Sequence, residues 1–166
     1  DFTSFSLNDL GNNRVEIKSV KGFTPTDSYK VSISYFAGYK AAGQLTVSGP
    51  NAYEKAQLTA DIIWKRLENA GAKFEDTSTE YLGLSSCHGK INPIPEQLNE
   101  VVLRLGVRDM DKNKVNRFGK EIAPVITNGP PGITGFSGGR PKAQEIVAYW
   151  PALIPKELVQ TAVDVV

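Results

Sequence analysis

Cysteine is almost missing from this sequence: Cys87 stands alone among 166 residues. A single thiol excludes an internal disulfide and every Cys-rich metal site. His88 is the one histidine, so a zinc site would need at least two carboxylate ligands, an uncommon set for that metal. No metal and no cofactor are therefore expected, and the lone thiol suits a reducing cytoplasm. A basic surplus is missing too. The 19 Lys+Arg face 18 Asp+Glu, a formal net charge of +1, and no cationic cluster offsets this balance, which argues against a nucleic-acid partner. No apolar run approaches the ~18 residues of a spanning helix, so no membrane partner is expected either. The chain opens on Asp1-Phe2-Thr3-Ser4-Phe5, without an initiator Met, a basic n-region or an apolar h-region. Such an opening reads as a piece of a longer protein.

What is present is the composition of a globular domain. Hydrophobic residues make up 40% and charged residues 22%, enough apolar material for a core in one domain over 1–166. Arg14 to Val20 alternates polar and apolar residues and reads as a half-buried strand. Tyr29, Val31, Ile33 and Tyr35 share one side of the next run, with Lys30, Ser32 and Ser34 opposite. A turn near Gly38 followed by Gln44-Leu45-Thr46-Val47-Ser48 predicts a hairpin over 28–48. Helix signals come next. Asn51 with Glu54 matches a capping box, and Ala56, Ala60, Ile63 and Leu67 share one face, widened by Ile62. Asp61 precedes Lys65 by four, the favourable order for an exposed pair. Gly71 stands where a left-handed C-terminal residue is wanted, so a helix over about 52–70 is expected.

Residues 74–84 predict another strand, and Val101, Leu103, Leu105 and Val107 alternate with Val102, Arg104, Gly106 and Arg108 in a cleaner one. Asp111 is placed to cap a second helix, in which Val115, Phe118, Ile122, Val125 and Ile126 recur at helical spacing. Pro124 inside that pattern predicts a kink or an irregular turn. Glu145–Trp150 reads as a buried strand that stops at Pro151, and 159–166 as an edge strand. From Ala42 to Trp150 the order is strand, helix, strand, strand, helix, strand. It predicts an α/β (α+β) chain: a two-layer sandwich with a ferredoxin-like split β-α-β core over about 28–150 and extra N-terminal strands.

The least ordinary stretch is Asn128 to Lys142. Gly132, Gly135, Gly138 and Gly139 free the backbone, Thr134 and Ser137 offer hydroxyls, and Arg140 and Lys142 offer positive charge. These are the parts of a cradle for a phosphate, a carboxylate or a CoA diphosphate. The Gly-Lys-Ser/Thr ending of a P-loop is missing, and a strand follows where a dinucleotide fingerprint needs a helix. The plain alternative is a long connection that uses Gly and Pro to turn. Arg104 and Arg108 lie on the sheet face opposite the core, where a neighbouring domain, a subunit or a ligand would meet them. Cys87 and His88 are the only candidates for a nucleophile and base. Neighbours in an extended segment point to opposite sides, so they are poorly placed as a dyad. Asp109-Met110-Asp111-Lys112-Asn113 resembles the start of a calcium loop, but Lys114 and Lys120 replace the Gly and Glu that such a loop requires.

Several stretches together resemble one family. Thr26 to Val31, Gly38 to Gly43, Ser48-Gly49-Pro50 with Ala52 and Lys55-Ala56, and Arg117 to Glu121 are similar to segments of the acyclic terpene utilisation protein AtuA family. So are Gly129 to Gly135, Gly138 to Pro141 and Val147 to Pro155. The resemblance implies the C-terminal part of a longer protein, with the missing N-terminal region as its first partner. It also implies a link to the breakdown of citronellol- and geraniol-like terpenes, whose intermediates travel as CoA thioesters. An acyl-CoA or another anionic small molecule is the expected ligand. An assembly interface in a homo-oligomer, a purely structural oligomerisation domain, and part of a hydrolase or lyase on CoA thioesters are the alternatives. The resemblance carries over no catalytic set.

Overall fold

A computed structural model describes residues 3–84, 86–89, 91, 93–135 and 138–164. The chain divides into two compact units, residues 1–33 with 149–166, and residues 34–148. Among the described residues, no helix is long and apolar enough to cross a membrane.

The chain begins with a hairpin of β1 (Ser6–Gly11) and β2 (Arg14–Lys18), paired antiparallel with Leu7 opposite Ile17. Asn12 and Asn13 make its turn at φ 52 and 58, the left-handed pair that a two-residue primed turn requires. Asparagine tolerates that region, so the Gly-Asn-Asn sequence was the available signal for β1. β2 falls where the alternation predicts it.

The hairpin expected over 28–48 does not form. β3 is one strand from Ser28 to Ser48. Gly38 takes φ +95 within it, and a Cβ there would stand 3.0 Å from the Asp109 carbonyl oxygen. The glycine admits a local irregularity where β5 begins its pairing, and no reversal follows. Other strands pair with β3 in place of a fold-back: β5 pairs with Tyr39 to Ser48, and β7 pairs with β3 as well.

α1 (Ala52–Asn69) buries Ala52, Ala56, Thr59, Ala60, Ile63 and Leu67, the predicted face. The capping box is absent. Asn51 is itself left-handed (φ 56) and makes no side-chain cap bond; its carbonyl accepts from the Lys55 N–H instead. Nor does Lys65 pair with Asp61; it reaches Glu68 at 2.7 Å. The other end is as expected. Gly71 lies at φ +73, its N–H donates to the Glu68 carbonyl, and Ala72 N–H donates to Leu67, a Schellman closure.

β4 (Asp76–Leu82) and β5 (Glu100–Asp109) pair antiparallel, and β5 pairs antiparallel with β3. Asp111 caps α2 (Lys112–Ile122) by accepting from Asn113 N–H at 2.8 Å. Pro124 ends that helix and starts the short α3 (Pro124–Asn128) as its first residue, where its missing N–H costs nothing. The stretch 128–142 is not a bare loop. It contains β6 (Ile133–Thr134), paired with Thr46 and Val47 of β3. β7 (Gln144–Pro155) does not stop at Pro151. Proline is tolerated because, among the described residues, β7 pairs with β3 alone, which leaves one side without ladder bonds. No strand forms over residues 159–164, which are exposed.

The larger sheet therefore has the order β4-β5-β3-β6, with β7 also on β3. This is a mixed α/β architecture. Its core joins Leu45 and Val47 of β3 and Leu103 and Leu105 of β5 to Ile63 and Leu67 of α1 and Phe118 and Ile122 of α2. Strand alternation leaves Lys40, Ala42 and Gln44 of β3 and Arg104, Gly106 and Arg108 of β5 on the opposite face.

Asp109, at the end of β5, is nearly buried. Its carboxylate accepts from Asp111 N–H at 2.8 Å and meets Lys114 Nζ at 3.2 Å. The Asp111 N–H, helped by Lys114, holds its pKa below the usual carboxylate range against the opposing effect of burial. A depressed folded-state pKa stabilises the fold above the unfolded value of about 3.9, and that contribution is lost as pH falls through the folded value. Asp109→Asn should therefore flatten the acid limb of stability below about pH 4 in pH-dependent urea melts. Parallel acid limbs in the two proteins would assign the acid sensitivity to other groups.

Candidate functional site

The open sheet face is built from side chains brought into register by β3, β4 and β5. Arg104 lies between Gln44 and Glu80, and Arg108 between Lys40 and Asp76. Arg104 grips Glu80 with two prongs, Nε to Oε2 at 2.6 Å and Nη2 to Oε1 at 2.9 Å, the strong planar geometry of a guanidinium–carboxylate pair. The hydrogen bond from Arg104 holds the Glu80 carboxyl below its usual range. Arg108 meets Asp76 at 2.7 Å and Glu75 at 3.5 Å. Both arginines are thus largely neutralised by acids within the same sheet.

The predicted cradle divides into two parts. Gly132, Thr134 and Gly135 lie at β6, against the end of β3. The Gly132 carbonyl accepts from Ser48 N–H at 2.9 Å and from Ser48 Oγ at 3.1 Å, and Lys55 Nζ reaches the Pro131 carbonyl at 3.1 Å. The Gly132 carbonyl is thus tied to the end of β3. Gly138, Gly139 and Arg140 go elsewhere, with Pro141 and Lys142, and line a cavity of about 550 Å³ against Ala42, Gly43, Gln44 and Gln144. Gly138 and Gly139 take φ +95 and +77, and a Cβ at either position would meet nothing within 4 Å, so glycine serves backbone conformation there and not packing. Ser137 falls outside the described residues.

What fixes that segment is α2. Ala143 N–H donates to Asn116 Oδ1 at 3.0 Å. The Pro141 carbonyl approaches Gly119 so closely that no Cβ would fit at that position. Pro141 also packs on Gly43, whose Cβ would stand 3.2 Å from its ring. Sequence reading found both the Arg117–Glu121 and the Gly138–Pro141 stretches but not that one seats the other. The small residue at 119, in the middle of a helix, was the signal.

A second cavity, of about 430 Å³, adjoins the first. It is lined by Lys40, Asp76, Ser78, Gly106 and Arg108, and it shares Ala42 and Gln144 with the first. Arg108 and Arg140 therefore border neighbouring cavities, and Arg104 lies on the same sheet face opposite Gln44. Among the described residues, neither Arg140 nor Lys142 has an acidic partner. With Lys40, which lines the second cavity and likewise has no acidic partner among the described residues, they are the cations left available to an outside anion. Cys87 and His88 are both exposed, and no hydrogen bond joins them. Cys87 lies within electrostatic reach of Arg104.

Another cavity of about 550 Å³, which sequence reading did not flag, opens at the start of α1. It lies between Ser48–Glu54 and Ile94–Asn99.

In comparisons with known proteins, the family model described as acyclic terpene utilisation family protein AtuA matches residues 1–165. No curated protein and no solved structure matches the chain.

Proposed function

This chain belongs to the acyclic terpene utilisation AtuA family, and from that premise we propose that its groove binds an anionic ligand, with an acyl-CoA of terpene breakdown as the candidate. One observation carries the reading: the unpaired Arg140 and Lys142 at a cavity whose neighbour reaches along the sheet to Arg108. Each of the two cavities matches the several hundred Å³ typical of small-molecule sites. A CoA thioester is long and carries its phosphates at one end. Arg140 and Lys142 would take the phosphates, and the groove floor of Ala42 and Gly106 would lie beneath the remainder. The sheet order, together with a core shared by α1 and α2, supports a ferredoxin-like split β-α-β arrangement, with β6 as its short fourth strand. In that arrangement the groove occupies the face that the helices leave open.

Charge-assisted hydrogen bonds of the kind Arg140 offers contribute about 1.5–3 kcal/mol each. Arg140→Ala should therefore weaken binding of a branched-chain acyl-CoA at least ~10-fold in calorimetric titration. Equal affinity in the two proteins, or no binding by either, would refute the proposal.

A further inference from the structure

Packing accounts for only part of the Arg117–Glu121 stretch. Phe118 fills the core and Gly119 seats Pro141, whereas the two ends of the stretch meet α1. Glu121 is 4% exposed. Its Oε1 accepts from Arg117 Nη2 at 2.7 Å, and its Oε2 accepts from Arg66 Nε at 2.8 Å. A buried carboxylate is costly unless it is paired, so one arginine is a structural necessity. The second is not. Arg104 makes the comparison, since it satisfies both oxygens of Glu80 by itself. Arg66 sits in the last turn of α1, where the helix carbonyls favour a cation. Arg117, in the middle of α2, has no such seat.

The balance of charge points the same way. Among the described residues, this is the one salt-bridge cluster in which cations outnumber acids. Two guanidinium groups held at one carboxylate repel each other, and a further anion relieves that repulsion. Each guanidinium carries five N–H donors and, among the described residues, spends one of them on Glu121. The Arg66 and Arg117 side chains stay 53% and 48% exposed, so their other donors are accessible. With Asn69, Ala70 and Glu121 they line a cavity of about 310 Å³.

We infer that Arg66 and Arg117 form a second anion site, distinct from the one at Arg140 and Lys142, and that it takes a phosphate group. The planar guanidinium fork matches phosphate oxygens, and here two forks are presented together. The shared carboxylate holds both in place before any ligand arrives, which lowers the ordering cost of binding. A water molecule takes ~30 Å³ of liquid, so a cavity of about 310 Å³ has room for more than an inorganic ion. The phosphate can therefore be free or carried on a small organic molecule, whose remainder would lie beside Asn69.

The test is an NMR titration of the 166-residue chain with inorganic phosphate and with glycerol 3-phosphate, at constant ionic strength. The Arg66 and Arg117 side-chain Nε–H resonances should shift and saturate, with a dissociation constant of about 1 mM or below. Tighter binding of the ester assigns the site to an organic phosphate, and equal binding assigns it to the free ion; both support the site. Arg117→Gln leaves Glu121 paired with Arg66 and should weaken binding at least ~10-fold. Arg117→Lys keeps a cation beside Glu121 but loses the fork, and should weaken binding at least ~3-fold. The lysine variant decides the matter if the glutamine variant does not fold. Arg140→Ala should leave the Arg66 and Arg117 shifts unchanged, so this site and the acyl-CoA proposal fail or stand separately. Shifts that sodium chloride reproduces, or that do not saturate by ~20 mM phosphate, overturn the inference. Unchanged affinity in the Arg117 variants overturns it as well.

Discussion

Gly119→Ala is expected to destabilise the Ser34–Ala148 unit by about 3 kcal/mol in urea denaturation, although Gly119 sits inside a helix. Helix propensity alone predicts the opposite sign, because alanine is favoured over glycine by about 1 kcal/mol in a helix interior. Packing reverses the sign. The Pro141 carbonyl occupies the space that a Cβ would need. The obstacle is backbone, with no flexible side chain to swing aside. Either α2 moves away from the sheet or the Gly138–Ala143 segment lifts off α2, which would also stretch the Ala143–Asn116 hydrogen bond. Stabilisation by about 1 kcal/mol, the response of an ordinary helical glycine, would show that the segment is not seated there.

The second large effect is expected one residue earlier. Phe118 is fully buried, and its ring stacks on Trp64 with centroids 6.2 Å apart and an interplanar angle of 24°. Truncation to alanine removes the largest fully buried side chain and leaves a cavity between α1, α2 and the sheet, at a cost of about 3–5 kcal/mol. The Trp64 indole is anchored through its ring N–H by a 2.9 Å hydrogen bond to Thr79 Oγ1, so it cannot simply collapse into the gap. The expected reading is a fall in the urea midpoint with an unchanged m value. A change under about 1 kcal/mol would mean that the α2 interface repacks freely, contrary to the close packing expected of a core. The same helix positions the groove. α2 carries Asn116 and Gly119, which seat the segment bearing Arg140, so loosening α2 is also expected to loosen the anion site.

A substantial part of this arrangement was legible in the sequence. Periodicity located α1, α2, β4 and β5 and gave the correct buried face of each helix, because those patterns are imposed by geometry that repeats within a few residues. The Asp111 cap and the Gly71 closure were legible for the same reason. Asn51 shows the limit of such local signals: its side chain can make a cap bond only from extended backbone, and the turn that leads out of β3 sets it left-handed.

What only the tertiary structure decided depends on partners far along the chain. Gly38 looks like a turn residue in isolation, yet β5 and β7 pair with the strand around it and keep β3 continuous. Arg104 and Arg108 look like free cations until pairing in register with β4 sets Glu80 and Asp76 beside them. The loop that reads as a single cradle is divided by the hydrogen bonds of Ser48 with Gly132 and by the contact of Gly119 with Pro141. The sequence by itself determined the two long helices, the strands β2, β4 and β5, the balance of charge and, through the joint resemblance of several stretches, the family. Register and docking chose which of the cations stayed available. The physical reason is range: a cap or a helical face is settled within a few residues, whereas a salt bridge across a sheet is settled only when strands distant in sequence align.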